Sequence, residues 1–272
     1  IVLTGLALPA TAACMAFAFL RSRGLTAQIA GGLAAILVTV APQLIWVGDY
    51  VGMWPYLFAM SLTGMVIWQF VRVPAERITA LPALVGLLGV LTAHPAAVTV
   101  VVIGVGLYWL TSTLVAPERG RISDTLWLAA PGIIGAVLYL PQVFAGSAQA
   151  EEVSGWKPVE SEDLDSGWAA AFTMGTRHVH QLFPGFDPTV LLWLAGLGAV
   201  ALVVWRRQVW APLFYAIWLA IAANALAPVG GPLSGLLTLV GNLHYNTAHR
   251  LIFPVALSVA VGAAIGVAVM IR

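Results

Sequence analysis

The sequence predicts an all-α fold, a polytopic transmembrane helical bundle of about nine spans, and three observations support this class. Of the 272 residues, 61% are hydrophobic and only 8% are charged, whereas soluble domains carry roughly 25% charged residues. Apolar runs recur along the chain at about the 20-residue length of a membrane-spanning helix. Basic residues fall in alternate connections between these runs, as the positive-inside rule requires.

Nine apolar stretches are the candidate spans, and the whole chain is predicted to form a single transmembrane domain. They cover residues 1–20, 27–47, 54–71, 78–91, 95–115, 126–140, 189–205, 209–226 and 251–271. A further apolar piece at 233–240 is too short to cross a bilayer, so we expect a re-entrant or interfacial segment there. Because residue 1 is an isoleucine inside an apolar run, we expect the chain to be part of a longer protein.

Arginines set the expected orientation. If the nine spans alternate, one side collects Arg21, Arg23, Arg72, Arg77, Arg119, Arg121, Arg206, Arg207 and Arg272, and that side is predicted to be cytoplasmic. The other side holds only Lys157, Arg177 and Arg250. Arginine greatly outnumbers lysine, which is typical of GC-rich bacterial genomes. We therefore expect a multi-pass protein of a bacterial plasma membrane, with its long loops outside the cytoplasm.

All five histidines and most acidic residues fall on the predicted outer side. The longest outer loop is predicted at 142–188. Its first part, 148–165, is acidic and reads as an exposed or flexible segment. Its second part, 167–183, is predicted to be one interfacial helix anchored by Trp168 and Phe172, with Arg177 and His180 facing water or a cavity.

The stretch Asn242-Leu-His-Tyr-Asn-Thr-Ala-His-Arg250 is a polar patch directly before the last apolar run, and it is the main site candidate. If it is helical, Tyr245 and His249 share one face. Arg250 suits bidentate binding of a phosphate or pyrophosphate. Tyr245, His249 and His244 could bind sugar hydroxyls. The alternative is interfacial anchoring, because Tyr and Arg are common at membrane boundaries.

Three other outer features carry possible chemistry. Asp49 could act as a general base, or bind a metal or a hydroxyl-rich substrate; alternatively it caps the next helix. His94, which precedes Pro95, could bind phosphate or carry a proton; alternatively it is a solvated or capping histidine. The His178-Val-His180 pair is a weak metal pattern, because zinc needs further ligands, so no metal ligand is assigned.

Several function classes lack support. No basic cluster indicates nucleic acid binding, and no nucleotide loop, zinc-protease helix or nucleophile elbow is present. No charged residue lies deep within a predicted span, which disfavours ion pumps and proton-coupled transporters.

The outer Asp49, His94-Pro95 at the outer end of a span, and Tyr245-Asn-Thr-Ala-His-Arg250 before a late span together resemble the GT-C membrane glycosyltransferases. More narrowly, the chain is similar to uncharacterised multi-spanning actinobacterial proteins of that architecture. The resemblance implies a GT-C-like fold and transfer of a sugar, in the cell envelope, from a polyprenyl-phosphate donor to an acceptor outside the cytoplasm. GT-C enzymes place their catalytic carboxylate in the first outer loop, which precedes Ile1 if the chain begins internally.

In this interpretation Arg250 binds the donor phosphate, while Tyr245, His249 and His94 line the cavity. Trp156 or Trp168 stacks on a sugar. The expected partners are membrane lipids and the lipid-linked sugar donor, and the need for a divalent metal stays open. Two other functions also stay open. One is a transporter or flippase for lipid-linked cargo with a broken segment at 230–240. The other is a non-catalytic subunit of a larger complex with further protein subunits.

Overall fold

A computed structural model describes residues 2–115, 121, 123–154 and 167–272 of the chain. Every regular element in these ranges is helical, which confirms the all-α class. The α-helices, numbered α1 to α13 in chain order, are Val2–Leu20, Leu25–Val40, Val47–Tyr50, Trp54–Arg72, Ala80–Ala93, Val98–Trp109, Asp124–Ser154, Gly167–Phe172, Arg177–Leu182, Thr189–Val200, Trp210–Leu226, Gly231–Leu243 and Ala248–Met270. Short π-helical turns cover Pro42–Trp46, Leu110–Leu114 and Ala201–Trp205, and 3₁₀ turns cover Arg77–Thr79 and Pro95–Ala97.

The chain is a multi-pass membrane protein. Within the described ranges, five helical stretches are long and apolar enough to cross a bilayer, and two bent pairs raise the number to as many as seven. Two further apolar stretches, Arg77–Ala93 and Thr189–Trp205, are helical but shorter. All nine predicted stretches thus contain helix, although nine crossings stay a prediction. The predicted span 27–47 breaks before Pro42, since a residue that precedes proline disfavours helical geometry.

Contacts gather the connections into two ends of the bundle. At the first, which we call the arginine end, residues from four connections and from the C-terminal end of α13 meet. These contacts are Arg23 with Glu76 (2.9 Å), Arg72 with Glu76, Arg77 with Asp124, the Arg206 Nη2 to the Leu20 carbonyl (2.7 Å), and the Arg272 Nη1 to the Thr26 hydroxyl (2.8 Å). This grouping agrees with the arginine alternation in the sequence, because those connections are the ones predicted to share a side.

At the opposite end, which we call the histidine end, aromatic rings join the remaining connections. The ring centroids of Tyr50 and His178 lie 5.9 Å apart, and those of His178 and His249 lie 5.5 Å apart. His94 contacts Tyr245 at 6.2 Å. His178 and His249 therefore meet each other at this end, and His94 meets the turn that precedes α13.

Helix α13 is the centre of the bundle, and α7 is at its periphery. In an 18-residue apolar stretch of α13, 83% of the residues are buried, whereas in the corresponding stretch of α7 the buried share is 17%. Glycines allow α10 to approach α13 closely. A Cβ on Gly198 would meet the carbonyl oxygen of Gly262, and a Cβ on Gly266 would meet that of Leu194, both well inside 3.0 Å. Small residues spaced four apart are the usual means of such packing in membranes.

Helices α11 and α12 form a pair bent by 95°. The bend uses left-handed glycines, Gly230 (φ 79°) and Gly231 (φ 69°), and is held by the buried Asn224. The Asn224 carboxamide oxygen accepts from the Ser234 hydroxyl (2.7 Å) and from the Val229 N–H (3.2 Å). Its nitrogen donates to the Thr238 hydroxyl (2.9 Å). One side chain thus fixes the direction in which α12 leaves α11.

We expect Asn224→Leu to destabilise the bent pair. It removes four hydrogen bonds, the fourth being a long one from the Asn224 nitrogen to the Ser234 carbonyl (3.5 Å). It also leaves the Ser234 and Thr238 hydroxyls short of a partner, so a loss of about 2–4 kcal/mol in unfolding free energy is expected. Thermal unfolding in detergent measures it. Asn242→Leu, at an exposed position of α12, is the matched control and should leave the melting temperature nearly unchanged. Equal melting temperatures for the two variants would contradict this role of Asn224.

The predicted outer loop differs from the structure in two respects. Helix α7 continues past Pro141 to Ser154, so residues 142–154 are helical; the alanine, glutamine and glutamate residues there are good helix formers. The predicted interfacial helix at 167–183 is two short helices, α8 and α9. The break is a Schellman turn, in which Met174 adopts φ 56° and the Gly175 N–H donates to the Ala170 carbonyl. Residues 155–166, including Trp156, lie outside the described ranges.

Candidate functional site: a buried arginine at the histidine end

The main candidate stretch is a turn between two helices. Helix α12 ends at Leu243 and α13 begins at Ala248. The Asn246 N–H donates to the Gly241 carbonyl (2.8 Å) and the Tyr245 N–H to the Asn242 carbonyl (3.0 Å), which is the Schellman pattern. The prediction that Tyr245 and His249 share one helical face is therefore wrong, because the chain leaves the helix between them.

Two consecutive residues of this turn have left-handed backbone geometry, Tyr245 at φ 58° and Asn246 at φ 48°. Asparagine tolerates this region, but for tyrosine the strain is on the order of 1–2 kcal/mol, and glycine is the usual residue at this position of the turn. Strain of this kind tends to persist where a side chain is needed in a particular place. In this turn, it places the Tyr245 ring against Arg250.

Arg250 lies between two tyrosine rings. The centre of its guanidinium is 4.3 Å from the Tyr245 ring centroid and 5.5 Å from the Tyr56 ring centroid. Its Nε and Nη1 atoms are buried and have no hydrogen-bond partner among the described residues, although the residue is only partly buried. No described carboxylate pairs with it, since the ion pairs found in the described ranges involve Arg23, Arg72 and Arg77. A buried cation with unsatisfied N–H groups is costly unless an anion completes it.

His94 faces the same place. Its ring packs against Tyr56 (5.2 Å) and Tyr245 (6.2 Å), and its Nδ1 is buried without a partner in the described ranges. Burial, and then the nearby Arg250 guanidinium, lower the pKa of His94 to about 4. The imidazole is therefore neutral at neutral pH. It offers a hydrogen bond beside Arg250 without adding a second charge.

His244 lies beneath this pair and is fully buried. Its Nδ1 is 3.1 Å from the Tyr56 hydroxyl and its Nε2 is 2.7 Å from the Thr99 hydroxyl. Burial, with smaller contributions from His94 and Arg250, lowers its pKa to about 3. Because both of its ring nitrogens contact hydroxyl groups, His244 holds Tyr56 and α6 in place. The sequence predicted that His244 binds substrate, but neither nitrogen is free to do so.

The hydrogen-bond network around His244 has one proton fewer than it has contacts. The Tyr56 hydroxyl also lies 2.9 Å from the Arg250 carbonyl, and the Thr99 hydroxyl 2.8 Å from the Ala96 carbonyl. Carbonyls, which only accept, therefore close both ends of a chain of four contacts. A neutral His244 with the two hydroxyls supplies three protons, so three of the four contacts are hydrogen bonds at any moment. An imidazolium would satisfy all four, but burial and Arg250 oppose its charge.

The other predicted site residues lie around this cluster. Asp49 is exposed in the short helix α3, and it does not cap α4, whose first residues have no side-chain cap. Its neighbour Tyr50 contacts His178, which contacts His249, next to Arg250. Arg177 and His180 are exposed on α9.

No hydrogen bond or ring contact in the described ranges joins Arg177 or His180 to Arg250. Trp168 is half-exposed on α8. A bound metal finds no obvious ligands: among the described residues, no group of three His, Cys, Asp or Glu side chains is placed to hold one.

A family model matches residues 1–272, which is the whole chain. The chain belongs to the DUF6541 family, a family of unknown function. Comparison with curated proteins and with solved structures finds no match. Membership of DUF6541 therefore supplies no activity, and any function for this DUF6541 chain has to be argued from its own residues.

Sequence reasoning missed three residues that build the site: Tyr56, Thr99 and Trp218. Tyr56 is fully buried and contacts His94, His244 and Arg250, while the Trp218 ring packs on His244 at 5.4 Å. The signals were slight: Tyr56 follows Trp54-Pro55 at the start of a span, and Thr99 lies just after His94-Pro95. Neither pattern shows that the partner is 188 or 145 residues away.

The half-buried His94 and the buried His244 should make stability fall on acidification. Between their ordinary pKa of 6.5 and the lowered values of about 4 for His94 and about 3 for His244, the unfolded chain binds protons that the folded chain excludes. The free energy of unfolding therefore decreases as the pH falls through this window. Melting temperatures at pH 7.5, 6 and 5 test this.

The control for this pH dependence exchanges histidines for glutamine. The double variant His94→Gln, His244→Gln should show a flatter pH profile, although its stability at pH 7.5 is lower because hydrogen bonds are altered. His180→Gln, at an exposed position, should keep the wild-type profile. A profile that stays equally steep in the double variant would show that other groups cause the acid sensitivity.

Proposed function

We propose that the chain binds the phosphate of a polyprenyl-phosphate-linked sugar through Arg250 and transfers the sugar to an acceptor on the extracytoplasmic side of a bacterial plasma membrane. The observation that carries this proposal is the partly buried Arg250 guanidinium, whose Nε and Nη1 find no partner in the described ranges. Guanidinium groups match phosphate oxygens in geometry and charge. Neutral His94 and the rings of Tyr56 and Tyr245 complete the wall.

The proposed reaction is an inverting transfer. The acceptor hydroxyl oxygen attacks the anomeric carbon of the donor sugar, and the bond from that carbon to the phosphate oxygen breaks. The polyprenyl phosphate leaves with the bonding electrons, and Arg250 stabilises the charge that develops on it. A base takes the acceptor proton. Asp49 is the described carboxylate nearest in sequence to the histidine end of α4, so it is our candidate for that base.

An assay of sugar transfer tests the proposal. The protein is reconstituted in liposomes, and transfer of a labelled sugar from a polyprenyl-phosphate donor is followed. Arg250→Ala is expected to lower the rate by roughly 100-fold or more, which is the loss from one oxyanion donor. Asp49→Ala should abolish the base-dependent step. Arg23→Ala, in an exposed pair at the arginine end, is the matched control. Full activity in both site variants would sink the assignment.

A second candidate is transport of lipid-linked cargo, and the bent pair α11–α12 is the observation that favours it. Broken helices with left-handed glycines occur around binding sites in transporters. The two functions separate in one liposome experiment. A transporter moves a fluorescent lipid-linked sugar across the bilayer and leaves it intact, whereas a transferase yields polyprenyl phosphate and a new glycoside. Movement of intact cargo that depends on Arg250 would favour the second function.

A further inference from the structure

A cavity lies between helices of the bundle, apart from the arginine site. It has a volume of about 180 Å³ and is lined by α1, α8, α10, α11 and α13. No residue of the Arg250 cluster takes part in its lining. Its occupant is therefore a different molecule, or a different part of one, from the anion that Arg250 would bind.

One face of α10 shapes the cavity as a groove. Lining positions run from Leu192 through Gly196 to Leu202, which lies in the π-helical turn after α10, and they extend about 15 Å along the helix. Ala195, Gly196 and Ala199 have small side chains, so they leave space for the groove. A Cβ on Gly196 would meet nothing within 4 Å, so this position opens directly into empty space. For scale, an engineered apolar cavity of about 150 Å³ stays dry and takes up benzene.

The polar groups of the lining point to more than a plain hydrocarbon. The Ser258 hydroxyl is satisfied, because it donates to the Pro254 carbonyl (2.7 Å). The Tyr215 hydroxyl is buried and has no hydrogen-bond partner among the described residues. A buried hydroxyl without a partner costs roughly 1–3 kcal/mol, so a ligand that carries an acceptor gains by reaching it.

We propose that this groove binds an ester-linked acyl chain of a membrane glycerolipid, with an ester carbonyl accepting a hydrogen bond from Tyr215. The acyl chain matches the apolar lining, and the carbonyl supplies the acceptor. An isoprenoid chain matches only the lining, since it has no acceptor along its length. This site is independent of the function proposed for Arg250. Its ligand is a resident lipid, held between α10, α11 and α13.

The test compares three photoreactive lipids in nanodiscs: a diester phospholipid, its diether counterpart and a polyprenyl phosphate, each with a diazirine in the chain. Labelled peptides from Thr189–Val200 and Ala248–Met270 are quantified by mass spectrometry. We expect the diester to label them roughly three- to tenfold more than the diether, which is the size of one net hydrogen bond. Stronger labelling by the polyprenyl phosphate, or equal labelling by diester and diether, would overturn the proposal.

Two variants separate the groove from the hydroxyl. Tyr215→Phe should make diester and diether label equally, because it removes only the donor. Gly196→Leu should lower labelling by both, because it fills the groove without meeting the backbone of a neighbour. Val200→Leu, on an exposed face of the same helix, is the control and should change nothing. Undiminished labelling in Gly196→Leu would also overturn the proposal, whatever Tyr215→Phe does.

Discussion

Gly266→Ala is expected to destabilise the folded protein by about 3 kcal/mol, the upper range for overpacking a well-packed core. The added methyl group would overlap the carbonyl oxygen of Leu194, a backbone atom that cannot rotate away. Helix α10 would have to separate from α13, the most buried helix of the bundle. Gly198→Ala should act similarly, since its methyl group would overlap the Gly262 carbonyl oxygen.

The measurement is thermal unfolding in detergent, followed by circular dichroism and by size-exclusion chromatography after heating. Gly196→Ala is the matched control on the same helix, because a Cβ there meets nothing within 4 Å. That control should be neutral, or stabilise by up to about 1 kcal/mol from the better helix propensity of alanine. Equal melting temperatures for Gly198→Ala and Gly196→Ala would contradict the close approach of α10 and α13.

Arg250→Met should stabilise the protein while it weakens binding of phosphate. The substitution removes a charge whose Nε and Nη1 have no partner in the described ranges and leaves an apolar chain between the same two rings. Replacing buried charges by apolar groups stabilises by about 1–4 kcal/mol in favourable cases. Loss of the cation should weaken binding of a polyprenyl phosphate by roughly 30-fold or more, from the 2 kcal/mol or more that such a group contributes.

A gain in stability together with a loss of phosphate affinity distinguishes an arginine that binds a ligand from one that anchors the turn. An arginine that only anchors the turn would stabilise the fold, so Arg250→Met would then lower the melting temperature. Arg250→Lys is a useful second variant: it keeps the charge but loses the planar group that stacks on Tyr245. We expect it to bind phosphate more weakly than the wild type and to lack the stability gain. A lower melting temperature for Arg250→Met would contradict our interpretation of the site.

Much of the fold could be predicted because membrane helices are encoded locally. Each apolar run contains its own helix, and the arginines sort the connections into the two ends that the structure brings together. Helix ends were harder. Helix α7 continues past Pro141, although a proline inside a helix usually breaks or kinks it. The breaks after Phe172 and after Leu243 use left-handed methionine and tyrosine residues, which propensity disfavours.

The site was only partly predictable for a related reason. Arg250, Tyr245 and His94 were identified from their local surroundings, and the structure brings these three into contact. His244 was given the wrong environment, and Tyr56 was not recognised, because their contact joins residues 188 apart in the chain. Asp49 was chosen for its residue type and for its position in the chain, at the outer end of a predicted span. Its exposure on α3 leaves it without the local contacts that would fix a role.

The missing proton in the His244 network links ligand binding to acidity. Burial, and to a lesser extent Arg250, lower the pKa values of His94 and His244 and keep both neutral in the free protein. An anion on Arg250 neutralises the charge that opposes their protonation, so it raises both pKa values. If Arg250 binds an anion as we propose, linkage predicts that the protein takes up protons on binding and that it binds the anion more tightly as the pH falls. Acidification would thus lower the stability of the ligand-free protein and favour the anion-bound state.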